Sequence, residues 1–370
     1  MAISTSPDRR SRGAVAFLVR LVLPVALIAP TAVLFGLQRQ STDDDSAFAV
    51  TERHGVAYLQ ALVPLEIELV NAQSVAAAGN PVQGGPLTAA VGSAARLDDE
   101  YGGELLTYDR WADVRSKIEA VPPTGTPAAL FDAYGEAIDL LVDLVDNVRS
   151  ASGLARDPHA ETYNLADGGA QELPEGIAAA GRYAGLVLQA RRLPAAAQAD
   201  ALFGIAAARS DLVGSARDLS EDVQRAAQGT ANQSLDTSLL TKIDGFSRAT
   251  DALVPSAETA SATLAVDPAR FAKDRDDLVR AGADLSASLL SKIDGLLRER
   301  VSSLESREAV AVATLVAAIL LGLAAPALTL LQALRRRRRR NDAVSNPRPA
   351  WPSVAPGPQY DNRERLGAAR

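Results

Sequence analysis

Two long apolar runs near the ends of the chain are its strongest pattern. Residues 13–37 carry a single charge, on Arg20, and residues 309–334 carry none. Each run is long enough for the roughly 20-residue helix that crosses a bilayer, although Pro24 and Pro30 are expected to kink the first. The pattern therefore predicts two transmembrane helices, separated by a domain over residues 38–307.

The first apolar run also admits an interpretation as a cleaved signal peptide. The arginines before it make a basic start, and Ala47-Phe48-Ala49 imitates a cleavage site between small residues. That site follows three aspartates and lies far beyond the apolar residues. A membrane anchor is therefore the favoured interpretation.

The segment between the two runs has helical periodicity. Over residues 130–148, apolar side chains recur at three- and four-residue steps, and acidic side chains recur on the opposite face. The apolar positions are Leu130, Tyr134, Ile138, Leu141, Val142, Val145 and Val148. The acidic positions are Glu136, Asp139, Asp143 and Asp146. This acidic stripe is either a cation or amine site or a solvated outer face, and the second is favoured because outward-facing charges need no ligand.

Proline and glycine clusters divide the same segment into helices. Residues 79–86 predict the end of a first helix and residues 122–125 the end of a second. Aspartate or threonine before proline predicts an N-cap and a helix start. The predicted starts are Thr126-Pro127, Asp157-Pro158 and Asp267-Pro268, and further boundaries are Leu193-Pro194 and Val254-Pro255.

Residue usage favours helices throughout. Aromatic residues make up only 4% of the chain, and β-branched residues are sparse outside the apolar runs. We therefore expect an all-α fold with no sheet. The predicted architecture is an elongated antiparallel helical bundle between two transmembrane helices, and two stacked four-helix modules are one form that such a bundle takes.

Acidic and basic residues are segregated along the chain. Residues 40–306 carry 22 Lys and Arg against 40 Asp and Glu, a net charge of −18, whereas residues 335–370 carry 10 against 3, a net charge of +7. Basic residues that flank apolar runs mark the cytoplasmic side of a membrane. The topology-determining residues are Arg9, Arg10, Arg12, Arg335, Arg336, Arg337, Arg338, Arg339 and Arg340.

These charges predict a two-pass topology with both termini in the cytoplasm. Residues 1–12 form the cytoplasmic N-terminus, 13–37 and 309–334 the transmembrane helices, 38–307 the extracytoplasmic domain, and 335–370 a basic cytoplasmic tail. The tail is rich in proline and poor in apolar residues, so we expect it to be disordered. The acidic central domain argues against nucleic acid as a partner, because that partner needs a positive surface.

The inventory of reactive side chains is small. The chain has no cysteine, and its two histidines are His54 and His159. This composition excludes thiol chemistry, disulfides and histidine-rich metal sites. Since there is also no nucleophile motif and no phosphate-binding glycine loop, we expect neither an enzyme nor a cofactor or metal.

One internal repeat is present. Residues 238–245 and 288–295 share the pattern Ser-Leu-Leu-Thr/Ser-Lys-Ile-Asp-Gly. Two copies do not make a repeat protein. The favoured interpretation is that Leu239, Leu240 and Ile243, with their counterparts, fill equivalent layers of the bundle.

Several segments resemble the outer portion of bacterial methyl-accepting chemotaxis receptors and related transmembrane sensor kinases. The most specific is residues 152–167, which is similar to that family's segment Ser-Gly-Leu-x-x-Asp-Pro-x-x-x-x-Tyr-x-Leu-x-Asp, followed by Leu173-Pro174. Residues 52–59 and 105–111 also resemble the family, and the resemblance covers residues 13–334 in order. The family's cytoplasmic output modules have no counterpart in the chain.

The resemblance implies a sensory or ligand-binding protein of the bacterial inner membrane that acts as a homodimer and signals through, or accompanies, a separate signalling or envelope protein. The alternative is a non-sensing envelope scaffold or assembly protein of the same architecture. The ligand-binding candidates are Asp157, Tyr163, Asp167 and Arg182. Capping and packing explain Asp157 and Tyr163 without a ligand, which is the favoured interpretation. Arg182, Arg191 and Arg192 are candidates to meet an anionic ligand, although exposed arginines are more often salt-bridged or solvated. The identity of a small-molecule ligand does not follow from the sequence.

Overall fold

The structure is a computed structural model that describes residues 9–229, 237–254 and 264–344. The side chains of residues 9–25, 27, 325, 326, 329 and 340–344 lie outside this description. Several sequence predictions also fall outside the described residues. They are the cytoplasmic location of residues 1–8, the boundary at Pro255 and the predicted disorder of the tail from residue 345 onward.

The described chain is all-helical, which confirms the predicted fold class. The helices are α1 (Arg9–Ala77), α2 (Gly84–Leu105), α3 (Tyr108–Glu119), α4 (Pro127–Ser152), α5 (Ala160–Asp167), α6 (Leu173–Ala190), α7 (Ala195–Gly229), α8 (Thr237–Leu253) and α9 (Pro268–Val344). A 3₁₀ turn at Leu154–Arg156 precedes α5, and a π-helical turn at Gly168–Glu172 joins α5 to α6. No strand occurs in the three described ranges.

The chain divides into two compact units. The first, here called the apolar unit, consists of Met1–Leu37 and Val310–Arg370, and the second, here called the helical unit, is Gln38–Ala309. In the apolar unit, large side chains such as Val33, Leu34 and Leu320 are exposed. By length and composition, one helix in the searched part of the chain is apolar enough to cross a membrane. It lies in Pro268–Ala324, and its most apolar window has a mean hydropathy of 1.9 with none of its residues buried.

Several predicted helix ends are confirmed by their capping geometry. Thr126 accepts a hydrogen bond from the Ala129 backbone N–H at 3.2 Å, so it caps α4 ahead of Pro127. Asp267 caps α9 in the same way, through the Ala269 N–H at 3.1 Å. The first helix ends at Ala77, in a motif that requires the left-handed Gly79 (φ 77°).

Two predicted boundaries were wrong. Asp157 does not cap α5, because its carboxylate accepts from the His159 N–H at 2.7 Å and holds a turn that delays the helix until Ala160. The single helix predicted between residues 86 and 122 is two helices, α2 and α3. Leu106 breaks it with a left-handed φ of 54°, and Thr107 then donates to the buried Asp98 at 2.6 Å.

Within the helical unit, α1 and α9 run antiparallel and are joined by polar pairs. As residue numbers rise along α1, the numbers of their partners in α9 fall. Arg39 pairs with Glu308 at 3.2 Å, Arg53 with Asp294 at 3.0 Å, and Asn71 with Arg275 at 2.9 Å. Leucines such as Leu62 on α1, Leu141 on α4 and Leu289 on α9 are buried in the core.

The repeat segments pack against each other in the same unit. Lys242 of α8 donates to the Asp284 carbonyl and to the Ser288 hydroxyl of α9. The two copies are not equivalent in burial, since Leu240 is 46% exposed whereas its counterpart Leu290 is 1% exposed. Leu239 and Ile243 are buried like their counterparts Leu289 and Ile293, whereas Leu240 and Leu290 differ.

Candidate functional site

The helical unit contains an acidic cleft between α4, α6 and α7. Its volume is about 710 Å³, within the range of about 300–1,000 Å³ that is typical of small-molecule sites. Six carboxylates line it: Asp139 and Asp143 from α4, Glu172 and Glu175 from the π-helical turn and α6, and Asp211 and Asp218 from α7. The cleft therefore gathers acidic stripes that three separate helices carry.

Burial and neighbouring negative charges together raise the pKa of three carboxyl groups in and beside the cleft. Burial, followed by the negative charges of Glu175 and Asp218, raises the pKa of Glu172 to about 7. Burial and the charge of Asp146 raise the pKa of Glu175 as well. Beyond the rim, burial and the charge of Asp167 raise the pKa of Asp222 to about 6. Glu172 is therefore partly protonated near neutral pH, chiefly because it is buried and secondly because like charges surround it.

The remaining lining is partly apolar. Val142, Ala178 and Ala179 interrupt the ring of carboxylates with hydrocarbon surface. Ser215 also lines the cleft; it is 8% exposed, and its hydroxyl has no hydrogen-bond partner in the described part of the chain. Arg182 is the cationic side chain of the lining, and it is ion-paired with Asp139.

A second polar site in the helical unit is a buried ion cluster centred on Arg300 of α9. Its guanidinium donates to Glu52 of α1 at 3.0 Å, to Asp157 at 2.9 Å and to the Thr162 hydroxyl of α5 at 3.0 Å. The Glu52 and Asp157 side chains are both fully buried. Burial, followed by the charge of Asp157, raises the pKa of Glu52 to about 8, so one guanidinium faces two carboxyl groups of which one is mainly protonated at neutral pH.

The four sequence-predicted ligand residues are not brought together. Asp157 belongs to the ion cluster, where its contacts serve packing, and Tyr163 is 37% exposed on α5. Asp167 accepts from Arg149 of α4 at 2.7 Å and lies close enough to the cleft to raise the pKa of Glu172. Arg182 lines the acidic cleft itself. The structure thus places Asp157 in the ion cluster and Arg182 in the cleft, with Asp167 beside the cleft and Tyr163 in neither site.

The arginines considered for an anionic ligand have other partners. Arg192 donates to the backbone carbonyls of Ala77 and Ala78 at 3.0 and 2.9 Å and so caps the end of α1. Arg191 donates to the carbonyl of Val266. Arg192 therefore connects the end of α6 to the end of α1, and Arg191 connects it to the segment before α9.

Sequence reasoning missed the residues that complete both sites. The acidic stripe on α4 was predicted, but Glu172, Asp211 and Asp218 were not predicted as site residues, because each helix taken alone looks like a solvated surface. The seven-residue spacing of Asp211 and Asp218, which places them on one helix face, was the available signal. Arg300 carried no local signal, since its partners lie 143 and 248 residues away.

No group of three or more histidine, aspartate or glutamate side chains in the described residues is arranged to hold a metal ion. Comparisons with families of known proteins, with curated proteins and with solved structures found no match. The resemblance to chemotaxis receptors therefore rests on the residues quoted for it and remains a prediction.

Proposed function

We propose that this chain is a membrane-anchored sensory protein whose helical unit binds a small molecule in the acidic cleft. The observation that supports the proposal is the cleft itself: three helices assemble carboxylates, a buried hydroxyl and hydrocarbon around one ligand-sized space. Concave sites with a few convergent polar groups are where ligands bind. The resemblance to receptor ectodomains is the second source of support.

The proposed topology is a two-pass protein of the bacterial inner membrane with both termini in the cytoplasm. Residues 38–307 then form an extracytoplasmic, elongated antiparallel bundle, built either as one body or as two stacked four-helix modules. The protein acts as a homodimer together with a separate signalling or envelope protein. The arginines flanking the apolar runs support this orientation.

The absence of cysteine makes the topology directly testable. A single cysteine is introduced by Ser116→Cys in α3, where the side chain is exposed, or by Ser345→Cys after the second apolar run. A membrane-impermeant maleimide added to intact cells with a permeable outer envelope should label only the Ser116→Cys variant. Labelling of both variants, or of Ser345→Cys alone, would refute the orientation.

Ligand binding is tested on the full-length protein in neutral detergent micelles. A ligand that binds the folded state must raise the melting temperature by mass action, and a library of cations, anions, amino acids and neutral metabolites covers the relevant chemistry. A saturable shift supports the sensory function. A protein that melts cooperatively and ignores every compound contradicts it and favours the alternative, a non-sensing envelope scaffold.

A further inference from the structure

We infer that the acidic cleft binds a linear organic polycation, a molecule whose ammonium groups are separated by short runs of methylene groups. This inference rests on the proposed ligand-binding function and names the ligand class of the same site. Charge, lining and the unpartnered hydroxyl of Ser215 each contribute to it.

Charge complementarity fixes the sign of the ligand. The cleft offers six carboxylates, and its one lining cation, Arg182, is already paired with Asp139. An anion placed there would meet repulsion from every wall, whereas each ammonium group relieves the repulsion between neighbouring carboxylates. The proton that Glu172 retains near pH 7 is what a bound cation would displace.

The size and lining of the cleft favour an organic cation over a single inorganic ion. A space of about 710 Å³ exceeds by far the roughly 30 Å³ that one water molecule occupies in the liquid. Val142, Ala178 and Ala179 place hydrocarbon between the carboxylates. Methylene groups between ammonium groups match this alternation, because they bury apolar surface while the charged groups reach the acids.

Ser215 is the second observation that points to a ligand. Its side chain is 8% exposed and lines the cleft, and its hydroxyl lacks a partner among the described residues. This oxygen is not among the fully buried unpaired atoms, so it opens onto the cleft and is available to accept a hydrogen bond from a ligand. An ammonium N–H can donate to this oxygen after the carboxylates have taken the remaining donors.

The test measures spermidine binding to the full-length protein in neutral detergent by isothermal titration calorimetry. The cleft variant is Asp143→Asn with Glu175→Gln, and the control is Asp132→Asn with Asp200→Asn, which removes two exposed charges from α4 and α7 outside the cleft lining. We expect saturable binding that weakens by about tenfold or more in the cleft variant and changes little in the control. Tenfold corresponds to about 1.4 kcal/mol, which the loss of one hydrogen bond to a charged group supplies.

Two further measurements distinguish specific binding of spermidine in the cleft from non-specific attraction of a cation to negative charge. Binding should be tighter at pH 8 than at pH 6, because Glu172, whose pKa is raised to about 7, releases its proton in that window. Mg²⁺ at matched ionic strength should displace spermidine only weakly. Equal loss of affinity in both double variants, or equal competition by Mg²⁺, would overturn the inference.

The failure of this inference is distinguishable from the failure of the proposed function. If spermidine does not bind but another metabolite raises the melting temperature of the wild type and not of the cleft variant, the ligand class is wrong and the ligand-binding function stands. If no compound binds, both are wrong.

Discussion

Replacing Arg300 by methionine tests what holds α1, α5 and α9 together. The substitution keeps an unbranched apolar stem and removes the guanidinium that donates to Glu52, Asp157 and Thr162. Both carboxyl groups then remain in a fully buried position without their cation. Asp157 keeps its local hydrogen bonds to His159 and its hydrogen-bonded neighbour Glu52.

The magnitude follows from which group is left charged. Removing one partner of a buried ion pair costs about 3–5 kcal/mol. Glu52 adds little to this at pH 7, because its pKa of about 8 already makes it mainly neutral. The cost therefore comes mostly from Asp157, and we expect the lower part of that range, about 3 kcal/mol. At roughly 2–4 °C per kcal/mol for a domain of this size class, the melting temperature should fall by about 6–12 °C.

The assay is thermal unfolding of the full-length protein, followed by intrinsic fluorescence at pH 7. The matched control is Arg298→Met, two residues away, where the arginine is 65% exposed and pairs with Asp294. Exposed pairs contribute about 0–1 kcal/mol, so this variant should melt within about 4 °C of the wild type. If both variants melt at the same temperature, the ion cluster does not stabilise the fold as argued.

Two further predictions concern the helical unit. Thr126→Ala removes the N-cap of α4 and should lower the free energy of unfolding by about 1 kcal/mol; urea unfolding with an unchanged slope measures this, and an unchanged midpoint would contradict the assigned cap. Glu52 has a pKa raised from 4.5 to about 8, so the folded chain binds more protons there than the unfolded chain, and stability falls as pH rises through this window. Glu52→Gln should therefore flatten the loss of melting temperature between pH 5 and pH 8, and a variant that loses as much as the wild type would refute the buried, protonated state.

The parts of the fold that follow from local sequence were predictable. Thr126-Pro127 and Asp267-Pro268 start helices because a short polar side chain and a fixed proline φ act on adjacent residues. The periodicity of residues 130–148 placed the buried face of α4 correctly, since Ile138, Leu141 and Val145 all lie in the core.

The errors arose where a distant partner decides the local structure. The residues beside Leu106 carry no sequence signal that predicts a helix break. The break places Thr107 against Asp98, which also accepts from Tyr58 of α1 at 2.9 Å. Asp157 looked like an N-cap, but its second oxygen is held by Arg300, 143 residues later. Tertiary hydrogen bonds of this kind override local capping preferences.

The acidic cleft was hard to predict for a related reason. A stripe of aspartates on one amphipathic helix is indistinguishable from a solvated face until its neighbours are known. Asp139 and Asp143 belong to a cleft because Glu175 of α6 and Asp211 of α7 line the same space. The sequence allowed a cation or amine site on α4, and the packing of three helices is what favours it.

The position of α6 suggests how occupancy of the cleft reaches the helices that contain the apolar runs. One face of α6 lines the cleft, while Gly181 on another face packs so closely on α1 that an added Cβ would lie 2.7 Å from the Val70 side chain. Likewise, a Cβ at Gly282 of α9 would lie 2.9 Å from Ile177 of α6. Because these contacts are close-packed, a shift of α6 must also move α1 and α9.

This coupling predicts that Gly181→Ala weakens spermidine binding although residue 181 does not line the cleft. The added methyl group must displace α6 from α1 or force Val70 off its rotamer, at a cost of about 1–3 kcal/mol in stability. Gly92→Ala is the control, because it adds the same methyl group to α2 with nothing within 4 Å. Since coupling between two sites is reciprocal, spermidine should also stabilise the Gly181→Ala variant less than the wild type. If the variant loses stability but binds spermidine with unchanged affinity, the contact between α6 and α1 stabilises the fold without affecting the cleft.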